Sequence, residues 1–312
     1  MKKTLKFLKN LLNIYWLRPE TALLLALQFD QLKNENLFKG KILDVGCGDG
    51  TFSFLLMGGQ FNKRFDVYRS IKVAKKYYQG RDMFDYFKKS EYRPLIDKEP
   101  NRKIDVGLDI SEAMIKKAKT LNLYSQLVKH DMALKFPFAN EHFDTVFGFN
   151  SIMYSKNLEK TLQEINRVVK KDSRIFFFLA SDTMKDYRIY NYYKKFNQKW
   201  AYFIDRGRKG YAGDVHLLSY EDCQRIFNKA GLSIKKHQYF MSKDCYHLWD
   251  IGFRVIFPML KKMLDAVPNS RKPGVKEFWV GQEYKILSSY LDYELSLKHN
   301  DSCVFHYFVL TK

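Results

Sequence analysis

The chain has 312 residues, 46% of them hydrophobic and 28% charged, which excludes a disordered polymer and leaves room for one large domain or two small ones. Lys and Arg outnumber Asp and Glu by 54 to 34, and a net charge of +20 suits an anionic partner such as nucleic acid or a membrane surface. The basic residues are spread rather than blocked, so compositional drift is the main explanation and nucleic acid is not the expected partner.

Residues 2–17 carry an amphipathic helix pattern. Leu5, Phe7, Leu8, Leu11, Leu12, Ile14, Tyr15 and Trp16 fall on one arc, and Lys2, Lys3, Lys6, Lys9, Asn10 and Asn13 on the other. A basic face opposite an apolar one suits a helix lying on a membrane. It suits equally a helix that covers the domain's own core, which is the commoner fate. Pro19 ends the pattern and Thr21 to Leu27 begins a second helix, giving an N-terminal helical unit over 1–40. Lysines interrupt the first apolar pattern and no small-residue cleavage site follows, so no signal peptide is expected. No apolar run reaches the ~20 residues needed to cross a bilayer.

Residues 41–50 read Lys-Ile-Leu-Asp-Val-Gly-Cys-Gly-Asp-Gly, a buried strand that turns into a helix through a loop nearly devoid of side chains. Such a loop lets backbone approach a ligand closely, helped by free N–H groups at the helix start. The glycines at 46, 48 and 50 follow neither the dinucleotide spacing nor the phosphate-loop spacing, and an acid, Asp44, stands two residues before the first. After Gly58-Gly59 a basic, aromatic segment runs to Lys103 and is expected to be a helical insertion packed on the core. Residues 104–109 form the next strand, ending in Asp109, and Ser111 caps a helix with Met114, Ile115, Ala118 and Leu121 inward. An acid at the end of the second strand of a βαβ unit is placed to accept hydrogen bonds from a ribose diol. Gln126–Lys129 leads to Asp131-Met132, then Phe136-Pro137-Phe138 and a fourth strand at 143–147.

The glycine loop, the Leu-Asp-Ile-Ser-Glu-Ala-Met stretch at 108–114, the 131–147 stretch and Glu164-x-x-Arg167-Val168 occur in one order. Together they resemble the class I S-adenosylmethionine (SAM) dependent methyltransferases, in particular the ubiquinone/menaquinone type that acts on small molecules. The resemblance covers roughly 41–57, 104–181, 217–242 and the last strand. It implies an α/β fold with a Rossmann-like, doubly wound, seven-stranded and mostly parallel sheet. The strand at 303–310 would run antiparallel between the fifth (175–180) and sixth (232–240). The methyltransferase domain would then span 41–312, with helical insertions at 58–103, 182–216 and 243–300. The segment 182–216 reads as irregular. In the last insertion, Asp250 and Arg254 are one helical turn apart and able to pair, and Pro258 kinks or divides the Leu248–Leu264 stretch.

The resemblance implies SAM as cofactor, held by Asp44, Gly46, Gly48, Gly50, Asp109, Ile110, Asp131, Met132 and Asn150. In that family the aspartate at 131 bonds the adenine amino group and the next backbone N–H reaches the ring. The four cysteines, at 47, 223, 245 and 303, show no metal-ligand spacing and read as free thiols of a reducing, cytoplasmic compartment. Methyl transfer from a sulfonium depends mainly on positioning, so no base is dictated; His216 and Tyr154 are the candidates near the methyl. The implied acceptor is a small molecule, a glycan or a lipid-linked group, the last with peripheral membrane contact through 2–17. Two alternatives remain, a non-catalytic SAM-fold scaffold at a membrane and an RNA methyltransferase.

Overall fold

The structure is a computed structural model and describes residues 1–35, 39–73, 93–205 and 215–312. Two helices open the chain, α1 (Lys2–Tyr15) and α2 (Pro19–Leu32). Strand β1 (Ile42–Val45) follows, then the short α3 (Thr51–Leu56) and strands β2 (Gln60–Phe61), β3 (Ile96–Lys98) and β4 (Ile104–Asp109). Helix α4 (Glu112–Lys119) leads to β5 (Tyr124–Lys129) and β6 (Phe143–Gly148), and α5 (Leu158–Val168) to the long β7 (Val169–Ser181). Next come α6 (Thr183–Tyr187), α7 (Ile189–Tyr193), α8 (Gln198–Ile204), β8 (Leu217–Leu218), α9 (Tyr220–Lys229) and β9 (Ser233–Phe240). The chain closes with α10 (Lys243–Ile251), α11 (Phe257–Ala266), α12 (Lys272–Ser296) and β10 (Phe305–Thr311).

The main sheet has the order β5-β4-β1-β6-β7-β10-β9. Its neighbours from β5 to β7 pair in parallel, and β10 runs antiparallel to both β7 and β9, as the sequence led one to expect. An eighth member corrects the expected count of seven: β8 adds two residues in parallel to the end of β7, at Ala180 and Ser181. Phe305 to Leu310 are all buried because β10 lies inside the sheet with helices over both faces. Chain order reverses at β1: the strands after it go first to one side and later to the other. The loops leaving β1 and β6 therefore diverge and open a crevice at the carboxyl ends of the strands, where sheets of this kind take ligands.

Helix starts follow their caps. The side chains of Ser111, Asn157, Ser219 and Ser242 each accept an N–H from three residues on, satisfying a donor the helix leaves open. The Lys171-Asp172-Ser173 stretch after α5 is part of β7. Register against β6 slips between Phe143 and Thr145, and Asp172 takes a φ of 61°, so the extra residues bulge while the strand continues.

The insertions also depart from expectation. The 58–103 segment is closed at its base by a small antiparallel pair, β2 with β3, rather than by helix. Phe65 and Tyr68 are buried on the core as expected, while Tyr77, Tyr78, Phe84, Tyr86, Phe87 and Tyr92 lie outside the described residues. The 182–205 stretch is helical, not irregular, with Asn197 capping α8. Pro258 stands at the first turn of α11 and the chain divides before it, at 252–256, as one of the two readings had it. Arg254 donates to the Asp250 carbonyl at 2.6 Å, and the Asp250 carboxylate accepts the Ile189 N–H at 2.9 Å.

The apolar face of α1 is covered by the protein itself. Leu8, Leu11 and Leu12 have no exposed surface, Phe7 stacks on Phe29 of α2 at 3.9 Å, and α1 packs along both α2 and α12. A helix that binds a membrane must leave this face open, so the membrane role expected for 2–17 does not hold. Among the described residues no helix is long and apolar enough to cross a membrane.

Candidate cofactor site

The loop at 46–50 is shaped by three left-handed glycines, with φ of 72° at Gly46, 57° at Gly48 and 77° at Gly50. A Cβ on Gly46 would lie 2.3 Å from that of Ser151, so only glycine lets the loop close on the chain after β6. A Cβ on Gly48 would meet nothing within 4 Å, so this turn of backbone faces open space at the crevice.

The amides of the loop itself are largely engaged within the protein. The N–H groups of Gly46 and Cys47 donate to the Leu108 carbonyl at 2.7 and 2.9 Å, and that of Gly48 to the Asp109 carboxylate at 2.9 Å. Gly50 donates to the Cys47 carbonyl and Thr51 to Asp49. The loop is fastened to the end of β4, and it serves a ligand by bare, close approach.

Asp109 stands half-buried at that junction. One carboxylate oxygen accepts the Gly48 N–H and the other accepts the Ser111 N–H at 2.7 Å. Ile110, the next residue, is 53% exposed beside it, an apolar surface left largely open. Across the crevice Asp131 holds its own turn by accepting the Ala133 N–H at 2.9 Å, and its second oxygen lies 3.8 Å from the exposed Lys156 ammonium. The Met132 methyl reaches toward Gly46, and the Met132 carbonyl accepts the Thr161 hydroxyl of α5 at 2.9 Å. This corner is clamped by the Glu164-Arg167 pair. Glu164 accepts the Phe136 N–H at 2.7 Å and, held by Arg167, keeps its carboxyl below its ordinary range. Arg167 donates to the carbonyls of Phe136 and Phe138.

Asp44 is placed differently. It is buried under the loop, where one oxygen accepts the hydroxyls of both Ser53 and Tyr124 at 2.7 Å. It supports the loop from beneath rather than lining the crevice. Asn150 is also engaged within the protein, exchanging two amide hydrogen bonds with Gln28 of α2, at 2.6 and 2.8 Å. Its φ of 57° turns the chain sharply out of β6. Ser53, Tyr124, Ser151 and Gln28 were not picked out from sequence. Only Gln28 left a trace there, as a polar residue closing the apolar run of α2.

His216 and Tyr154 come together past the end of β6. The His216 N–H donates to the Met153 carbonyl at 2.9 Å, and its Nε2 lies 2.8 Å from the Ser155 carbonyl. That contact holds the ring as a structural hydrogen bond. Tyr154 is half-buried in the short turn Ile152–Tyr154 and packs on the core. Among the described residues no group of three or more His, Cys, Asp or Glu side chains is placed to hold a metal.

A family model described as a methyltransferase domain matches residues 99–177. The malonyl-[acyl-carrier protein] O-methyltransferase of Legionella pneumophila is 26% identical over 162 residues, 51% of this chain and 43% of that protein. An uncharacterized protein of Methanocaldococcus jannaschii is 40% identical over 76 residues, 24% of this chain and 30% of that one. The matched stretch thus spans less than half the length of either curated relative. Among solved structures, a SAM-dependent methyltransferase from Mesorhizobium loti aligns over 90% of this chain and 95% of its own, with 12% identity and a TM-score of 0.43. The match over 99–177 falls on the stretch that carries Asp109 and Asp131, and this part of the chain is similar to a methyltransferase domain.

Proposed function

We propose that this protein binds SAM in the crevice between β1, β4 and β6 and transfers its methyl group to a small-molecule acceptor. The observation that carries the reading is the joint made by Gly48 and Asp109. A bare, left-handed glycine faces open space, and its N–H fixes the Asp109 carboxylate at the end of β4, where an acid receives a ribose diol. The residues present fit the cofactor. Asp109 would take the diol, Ile110 and the Met132 region the adenine ring, Asp131 its amino group, and Gly46 to Gly50 the close approach. Asp44 acts as a positioning residue, since it holds the loop through Ser53 and Tyr124. SAM supplies an electrophilic methyl on a sulfonium with a good leaving group already in place. The task left to the protein is to exclude water and align a nucleophile.

The acid-to-diol contact is the point to test. Asp109→Ala removes the acceptor and frees the Gly48 N–H, so S-adenosylhomocysteine binding should weaken by roughly 1–3 kcal/mol in titration calorimetry. Equal affinity of the variant, or no binding by the natural protein, overturns the reading. Mass spectrometry of methylated products after incubation with SAM and fractionated extracts then identifies the acceptor.

A further inference from the structure

Glu283 lies on the inward face of α12, one turn after Trp279, with Val280 and Leu287 buried beside it. It is 8% exposed, and neither carboxyl oxygen has a hydrogen-bond partner among the described residues. A buried acid without partners is costly to keep, so it calls for a function or a missing partner. Its charged neighbour is another acid, Glu20, which is itself bound to Arg18 and to the Phe253 N–H. Arg18 is thus engaged by Glu20, and Glu283 is the acid left over.

The surroundings are aromatic and come from three distant parts of the chain. Trp16 packs edge-on against Trp279 at 6.0 Å and against Tyr68 at 6.5 Å. The Tyr68 hydroxyl is a second buried polar atom without a partner among the described residues. The cluster also adjoins the cofactor loop. Tyr15, next to Trp16, is close enough to Asp49 and to Tyr68 to feel and exert their charges.

We propose that Glu283 and the aromatic groups around it form the recognition site for a positively charged amine on the methyl acceptor. A carboxylate among ring faces recognises an ammonium group by charge, hydrogen bonding and cation–π attraction together. This inference rests on the methyltransferase reading, since the ammonium it recognises belongs to that reaction's acceptor. Burial and then the charge of Glu20 push the Glu283 carboxyl up to about 9. The carboxyl is therefore protonated at pH 7, and an arriving ammonium displaces its proton to solvent. Besides Glu20, the ionisable groups gathered here are Arg18, Tyr15, Tyr68 and Asp66, and Lys276 stands two turns before Glu283 on α12, where it donates to the Lys63 and Phe65 carbonyls.

The test uses benzylamine, benzyl alcohol and benzoate as probes sharing one ring, read by tryptophan fluorescence in a full chain carrying Trp200→Phe and Trp249→Phe, which leaves Trp16 and Trp279 as reporters. Benzylamine should bind about tenfold or more tighter than either other probe, and Glu283→Gln should remove that preference. Calorimetry in buffers of different ionisation heat should show proton release on benzylamine binding to the natural protein and none in the variant. Tyr68→Phe, which deletes an unpartnered hydroxyl and leaves the fold intact, should lose a smaller part of the affinity. Benzylamine binding no tighter than benzyl alcohol, or an unchanged preference in Glu283→Gln, overturns the proposal. S-adenosylhomocysteine is titrated alongside. Its failure to bind the natural protein would sink the methyltransferase reading, whereas normal binding with no benzylamine preference sinks the Glu283 assignment alone.

Discussion

At the scale of single residues, Asp44 shows how the loop is supported and how its support depends on pH. Burial, opposed by the hydroxyls of Ser53 and Tyr124 and aided by the charge of Asp109, pushes its carboxyl up to about 7. In the unfolded chain the same group titrates near an ordinary aspartate, at about 3.9. Between these values the folded protein binds the proton more tightly than the unfolded chain. The contribution of Asp44 to stability is therefore full below about pH 4 and is lost as pH rises toward 7, at about 1.4 kcal/mol per pH unit. Asp44→Asn cannot ionise, so stability measured by urea unfolding from pH 4 to 7 should fall less steeply in the variant than in the natural protein. Parallel slopes in the two proteins would show that Asp44 stays charged under the loop. The acids at 44, 109 and 131 were each legible from their place at a strand. What each does was not, because a carboxylate beneath a loop and one beside it have the same sequence spacing.

At the scale of elements, α1 shows which of two readings of one amphipathic pattern the packing selects. Its period marks one apolar face, and Leu8 of that face has no exposed surface between α2 and α12. Leu8→Ala should cost about 2–5 kcal/mol of unfolding free energy, as a core truncation does, whereas Lys6→Ala on the exposed face should change it by less than about 0.5 kcal/mol. A small effect of Leu8→Ala in urea unfolding would mean that α1 is only loosely docked. The α5 helix shows a second lesson. Its Glu-x-x-Arg spacing was visible as a motif, and its use is mechanical: Arg167 ties the carbonyls at 136 and 138 to the helix, which keeps the Asp131 turn in place.

At the scale of the whole molecule, the sheet and its additions should differ in stability. β1, β6, β7 and β10 are buried and paired on both edges, while β2 and β3 form an isolated two-stranded pair with largely exposed residues. Native-state hydrogen exchange should therefore find the slowest amides at 143–148 and 305–310 and much faster ones at 60–61 and 96–98, read by mass spectrometry. Uniform protection across both sheets would contradict this ranking. By itself the sequence determined the strand segments of the cofactor half and the placement of its glycines and acids, while the antiparallel last strand was implied by the resemblance. Those signals are local, since period, glycine and cap each act over a few residues. Only the tertiary structure decided what covers α1, that Asn150 is engaged by Gln28, that His216 is held by the Ser155 carbonyl, and that Glu283 is a buried acid beside Glu20. The physical reason is that burial and pairing here join residues more than a hundred positions apart in most cases. A residue's type and spacing fix which face is apolar or charged, but the partner on that face is set by how the insertions fold back over the sheet.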